Sequence, residues 1–450
     1  MKKSLNFKES IIVGSMFFGM FFGAGNLIFP VLMGQLAGKN SIPAIVGFVL
    51  TGVSLPLLGV VCIGVSKKNS LFELAGLVGD KYKYFFTMIL YLTIGPFFAI
   101  PRCATTSFTV GIKPLLLNST NEKLFLFLFS LAFFTLVLIF ALKPSGIMNY
   151  IGKYINPLFL IFLTILIVVA FVNPIPNQQG LIEASSDYAT IPFFRGFIEG
   201  YNTMDAIASL AFGITIITVI KNLGITDETS ITLSIFKTGI IGCSLMAIIY
   251  FLTTIMGTMS RGMYDIQSNG GDVLAIISTH YFGRIGIYIL LITVTLACLK
   301  TSIALVVSCS EIFSKMFPNI LSMKKWTVIF TVFSFIVSNF GLNAIITYAV
   351  PVLMFIYPLA ISIILLSLFG KFFNYDRRVY ATTTYITLLA AVFDFIIAFP
   401  KDSILPNIFI ENVKGFAFNY IPFFELGLGW TVPMIVGVII GIVLKKINCR

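Results

Sequence analysis

The sequence predicts an all-α integral membrane protein of twelve transmembrane helices: two five-helix units of opposite orientation, then two C-terminal helices. Three observations predict it. The 450 residues are 58% hydrophobic and 11% charged, whereas soluble domains carry roughly 25% charged residues. Mean hydropathy is +1.00. Twelve apolar stretches approach the roughly 20 residues needed to cross about 30 Å of hydrocarbon. Two of them are interrupted by small and polar residues at matching places in the two units.

The first span, 10–37, follows MKKSLNFKES. Its apolar run is too long for a signal-peptide core and lacks a small-residue cleavage site, so an uncleaved helix is expected. Inside it lies GAGNLIFP, residues 23–30. Two glycines, an asparagine and a proline suit a helix poorly where every backbone donor and acceptor must be satisfied. Taken alone, the stretch reads as readily as a kink or helix-packing site as it does as a functional break. Spans two to five are expected at 43–65, 84–112, 123–142 and 154–172. The third carries Arg102 directly after Pro101. Arg102 reads either as a carbonyl clamp that fixes packing or as a gate.

The sixth span, 193–220, contains FIEGYNTMDAIASLAFG, residues 197–213. Glu199, Gly200, Tyr201, Asn202, Thr203 and Asp205 form the most polar patch in any long span. Such groups are expensive in a bilayer, so a functional role is the default. The other reading is a later helix start, with the patch in an external loop. Spans seven to twelve are expected at 232–258, 283–312, 326–340, 345–369, 379–398 and 430–446. Segment 399–429 carries no readable chemistry, and packing or dimer contact is the expected use of the last two spans.

The expected units are therefore 1–172 (spans one to five), 173–370 (six to ten) and 371–450 (eleven and twelve). Five is odd, so the second unit enters the membrane inverted. Interrupted helices at corresponding places in inverted halves point to a transporter's central site. Half-helix N-termini suit a carboxylate, and half-helix C-termini suit an ammonium group or a small cation. An amino acid zwitterion matches both. Gly23, Ala24, Gly25 and Asn26 would hold its carboxylate. Carbonyls around Phe21, Phe22, Gly200 and Tyr201 would face its amine.

Net charge is +12, but 19 of the 30 basic residues fall in segments that are cytoplasmic if both termini are inside. That bias sets topology. No basic face with interleaved aromatics suggests nucleic acid. Cys62, Cys103, Cys243, Cys298 and Cys309 lie in apolar spans and Cys449 in the tail, without a CxxC pair. They read as small hydrophobes. The single histidine, His280, is expected in a loop, which argues against a transition-metal centre and against His-based catalysis. An enzyme is not expected. A channel would favour charged rings or symmetric short subunits over two different interrupted helices. A non-transporting amino acid sensor would need a signalling domain, whereas six residues follow Leu444.

The strings FFGAGNLIFP (21–30), GPFFAIPRCATTSF (95–108), EGYNTMDAIASLAFG (199–213), LACLKTSIA (296–304) and PVLMFIYP (351–358) resemble the bacterial branched-chain amino acid system II carriers, which are cation symporters. The resemblance implies a LeuT-type five-plus-five fold with helices one and six broken. It also implies uptake of leucine, isoleucine and valine across the bacterial plasma membrane, coupled to Na⁺ or H⁺, with no other cofactor. Phe97, Phe98, Ile100, Ile207 and Leu210 are then candidate walls for an aliphatic side chain.

By the same resemblance, carbonyls of Gly19, Phe22 and Ala297 and hydroxyls at positions 300 and 301 would hold a cation. Thr301 fits, but position 300 is Lys300 where the family pattern has a hydroxyl. Thr109 likewise stands where the pattern shows a glutamate. Lys300 is roughly 20 Å from the cytoplasmic end of its span. Either its ammonium takes the sodium ion's place, making the carrier Na⁺-independent or an exchanger, or it pairs with an acid while Na⁺ still binds.

Overall fold

The computed structural model describes residues 4–68, 70–116, 121–142, 147–177, 180, 182–400 and 405–447, with the backbone alone for 147–159 and 186. Its elements are α-helices joined by short 3₁₀ and π turns, with no strand among the described residues. They run α1 (Phe7–Phe21), α2 (Ala24–Ala37), α3 (Ser41–Val49), α4 (Leu55–Ser66), α5 (Leu71–Ala75), α6 (Asp80–Leu92), α7 (Ala99–Gly111), α8 (Glu122–Leu142) and α9 (Ile147–Val172). There follow α10 (Pro192–Glu199), α11 (Asp205–Asn222), α12 (Glu228–Ser260), α13 (Gly270–Met316), α14 (Met323–Ser338), α15 (Leu342–Leu368), α16 (Arg377–Ile397), α17 (Asn407–Tyr420) and α18 (Thr431–Ile447).

Eight helical stretches are long and apolar enough to cross a bilayer: 24–66, 80–115, 122–142, 205–222, 228–260, 270–316, 342–368 and 377–397. The chain is a multi-pass membrane protein. Large apolar side chains on α8, such as Leu128, Leu131 and Ile139, face outward, as lipid contact requires.

Local chemistry explains where helices start and stop. A reciprocal cap starts α1: Glu9 N donates to Asn6 Oδ1 at 2.8 Å and Asn6 N donates to Glu9 Oε2 at 2.9 Å. Helix α1 stops at Phe21, and Phe22 and Gly23 are extended before α2 begins. Gly23 N donates to Asn26 Oδ1 at 2.8 Å, so the asparagine side chain caps the new helix. Pro30 stands inside α2, as its seventh residue. There its ring removes the donor that would reach the Asn26 carbonyl.

Between α10 and α11 the chain makes a 3₁₀ turn, Gly200–Thr203, and then Met204 adopts a left-handed conformation at φ 65°. A third interruption falls within expected span three. Residues Thr93–Phe97 form a π turn, with Gly95 at φ −104°, ψ −123° beside Pro96. Span three is thus two helices, α6 and α7, and every residue of α7 is buried.

Small residues bring the helices together. A Cβ added at Gly34 of α2 would stand 2.0 Å from the Thr254 carbonyl oxygen of α12. One added at Gly257 of α12 would stand 2.0 Å from the Val31 carbonyl oxygen of α2. The two backbones therefore touch where only glycine leaves room, the small-residue packing familiar between membrane helices.

One expectation is corrected. His280 is helical, on the part of α13 before its kink at Gly283, and shares a 2.9 Å hydrogen bond with the Tyr264 hydroxyl. An apolar run continues through that arm, so the polar residues around it do not end the helix. Segment 399–429 holds a helix, α17, whose Phe416 stacks on Phe393 of α16 at 5.7 Å. Cys449 lies outside the described residues, and the other five cysteines are buried free thiols.

Candidate functional site

The first two chain interruptions, at 22–23 and 200–204, border one cavity. Its lining includes Gly23, Ala24, Gly25 and Asn26 from the first, and Thr203, Met204 and Asp205 from the second. Three buried side chains tie the two together. Asn26 Nδ2 donates to Asp205 Oδ2 at 2.5 Å and also contacts the Tyr250 hydroxyl of α12. Tyr250 in turn donates to Asp205 Oδ2 at 3.3 Å. Asp205 sits at the first position of α11, where a carboxylate faces the positive end of a helix. Its own backbone N–H points to Thr203 Oγ1 at 3.4 Å.

Arg102 of α7 closes the other side. It lines the cavity and is 5% exposed. Its Nη1 donates to the Asn202 carbonyl at 2.6 Å, satisfying a backbone group freed by the turn. Its face lies over the Phe29 ring at 5.1 Å. A Cβ at Gly25 would stand 2.8 Å from Arg102 Nη2, so the guanidinium packs directly on the first turn of α2. Its Nε has no partner among the described residues. The Asn202 amide donates to Glu199 at 3.1 Å, and Glu199 lies 3.8 Å from Arg195. Glu199 therefore touches the cavity only through Asn202 and Arg102.

The arrangement offers an amino acid both charges. The first N–H groups of α2 have no intrahelical acceptor and stand beside Arg102, a suitable place for a carboxylate. Asp205 is the acid on the opposite side, suitable for an ammonium group. Between them Met20, Ile94, Ala99, Cys103, Phe212 and Leu305 supply apolar wall.

Several sequence-based candidates stand elsewhere. Phe97 is 38% exposed and packs on Phe333 at 5.1 Å. Ile100, Ile207 and Leu210 are fully buried but absent from the lining, as is Phe98. The π turn at Thr93–Phe97 changes the helical register, so Ile94, Ala99 and Cys103 face inward instead. On α11 the neighbours Ala208 and Phe212 take that place. Gly200, Tyr201 and Asn202 lie behind the lining, with Tyr201 stacked on Tyr357 of α15 at 4.0 Å. Tyr250 and Tyr357 escape sequence reasoning because a lone tyrosine in an apolar span looks like any interface anchor.

A second cavity adjoins the first interruption on its other side. Gly19, Phe22 and Ala297 line it together, with Phe18 and Cys298. Thr301 lines the first cavity instead, and its hydroxyl donates to the Ala297 carbonyl at 3.1 Å. Lys300 lines neither cavity and forms no hydrogen bond or ion pair among the described residues. No group of three or more His, Cys, Asp or Glu gathers in metal-binding proximity among them.

The fold and sequence both have relatives. Over 97% of this chain and 92% of the other, the structure superposes on Mhp1, a nucleobase-cation-symport-1 family transporter solved closed with bromovinylhydantoin, with TM-score 0.60 and 14% identity. It also superposes on MhsT in complex with L-phenylalanine, TM-score 0.56 at 14% identity, over 100% of each chain. Both have the LeuT-type transporter fold, and this chain shares it. In sequence it is 43% identical to the branched-chain amino acid permease BrnQ of Lactobacillus delbrueckii subsp. lactis, over 97% of this chain and 96% of the relative. It is 40% identical to BrnQ of Bacillus subtilis, over 99% and 98%. Residues 6–448 match the family described as branched-chain amino acid transport protein. The chain is a transport protein, not an enzyme, and belongs to that family.

Proposed function

We propose that this chain imports leucine, isoleucine and valine across the bacterial plasma membrane by alternating access, coupled to an inward flow of Na⁺ or H⁺. The observation that carries the reading is the Asn26–Asp205 hydrogen bond, which joins two chain breaks at one buried cavity. In this reading the breaks belong to spans one (α1 and α2) and six (α10 and α11) of twelve. The other spans are α3 with α4, α6 with α7, α8, α9, α12, α13, α14, α15, α16 and α18. Residues 1–172 and 173–370 form the inverted units, and both termini are cytoplasmic, as the lysine and arginine bias favours.

The substrate carboxylate sits against Gly23–Asn26 and Arg102, its ammonium near Asp205 and Thr203, and its aliphatic chain among Met20, Ile94, Phe212 and Leu305. Glu199 and Asn202 hold Arg102 in place. Arg102 is thus a substrate contact as well as a clamp. The coupling cation sits by the carbonyls of Gly19, Phe22 and Ala297. The test is equilibrium binding to the purified protein. Leucine, isoleucine and valine are expected to compete for one site, while an amine without a carboxylate is not. Competition by isoamylamine as strong as by leucine would contradict the carboxylate clasp.

A further inference from the structure

Helix α11 presents a narrow stripe to the cavity. Asp205, Ala208 and Phe212 line the cavity from it. They are spaced three and four residues apart, so one face of the helix carries all three. The exposure pattern says the same. Ala208 and Phe212 are part-exposed, whereas Ile207, Ser209, Leu210 and Ala211 around them are buried.

Packing on another face fixes this rotation. A Cβ on Gly59 of α4 would collide with the Ser209 hydroxyl, which donates to the Ala206 carbonyl at 2.6 Å. A Cβ on Gly213 of α11 would stand 3.4 Å from Val60 Cα of α4. The two helices meet through these glycines, and α11 cannot turn Ala208 away from the cavity without losing that contact.

The stripe runs away from the acid as a scale of length. Helical rise is about 1.5 Å per residue, so Ala208 lies about 4.5 Å and Phe212 about 10.5 Å along the axis from Asp205. Covalent geometry puts the β carbon of an amino acid about 2.5 Å from its nitrogen, and an extended γ carbon about 3.9 Å. Valine and isoleucine branch at the first, leucine at the second. With the ammonium at Asp205, both branch points fall in the turn that ends at Ala208, where a lone methyl leaves space for a fork. Ala99 and Cys103 of α7, also in the lining, are small as well. A helical side chain leans toward the N-terminus, so the Phe212 ring projects back toward Ala208 and closes the far end.

We propose that the substrate side chain lies along this stripe, with Ala208 giving width for the branch and Phe212 setting the greatest length accepted. The two residues are then specificity determinants. This rests on the branched-chain amino acid reading above, with the ammonium at Asp205.

The test is equilibrium binding of single amino acids to the purified full chain. The ligands are alanine, valine, isoleucine, leucine, phenylalanine and the straight-chain series norvaline, norleucine and 2-aminoheptanoate. In wild type, affinity is expected to fall from norleucine to 2-aminoheptanoate. Phe212→Ala is expected to move that fall to a longer chain and to raise phenylalanine relative to leucine by about 10-fold or more. Ala208→Leu is expected to weaken leucine, isoleucine and valine relative to alanine by about 10-fold or more. Each result is a ratio within one variant, so partial loss of folded protein does not move it. Should either variant fail to fold, Phe212→Leu and Ala208→Val are expected to give smaller changes of the same sign. The straight-chain series on wild type reads the length limit by itself. Wild type that binds 2-aminoheptanoate as tightly as norleucine overturns the proposal, as do variants that weaken every ligand equally. Wild type that binds none of the aliphatic amino acids would instead contradict the transport reading itself, and this size rule with it.

Discussion

Asn26 does three jobs with one amide: it caps α2, donates to Asp205 and contacts Tyr250. Asp205→Asn removes the charge but keeps the shape. Hydrogen bonds to charged groups contribute about 1.5–3 kcal/mol, so leucine affinity is expected to fall roughly 10- to 150-fold, with the melting temperature close to wild type. Asn26→Ala strips a donor from both partners and the cap from α2, and is expected to lower melting temperature as well as affinity. Fluorescence-detected melting beside radioligand binding separates the two. The residues from Gly23 to Asn26 and the acid at 205 were legible in the sequence because polar groups in a span are expensive. Phe97 and Ile100 stand off the cavity lining because side-chain direction depends on a turn, Thr93–Phe97, that looks like ordinary span in one dimension.

Among elements, α2 and α12 are the pair whose contact positions the site. Both Asn26 and Tyr250 depend on it, and both backbones meet at Gly34 and Gly257. Gly34→Val is expected to force these helices apart, lowering melting temperature and weakening leucine binding together. Equal melting and binding in that variant would show that the close approach is dispensable. The helix end near Gly23 was legible because glycine chemistry marks it, whereas the cap at Asn6 lies before the expected start of the first span and was not read. The α17 segment was not read as a helix; it packs on α16 through Phe416 against Phe393.

At the scale of the whole molecule, two interruptions far apart in sequence meet at one buried cavity, with an acid on one side and a guanidinium on the other. Hydropathy made the membrane fold legible, since lipid leaves so few alternatives for backbone polar groups. It could not register the second cavity, where Gly19, Phe22 and Ala297 converge while Lys300 stays outside. Convergence of residues from different helices is a property of packing, not of residue type. The central claim is that this cavity couples amino acid movement to a cation gradient. Leucine uptake into proteoliposomes under imposed inward Na⁺ or H⁺ gradients tests it most directly. Accumulation above the external concentration is expected with at least one gradient, and its collapse is expected when that gradient is dissipated. Leucine that only equilibrates under both gradients would contradict the account.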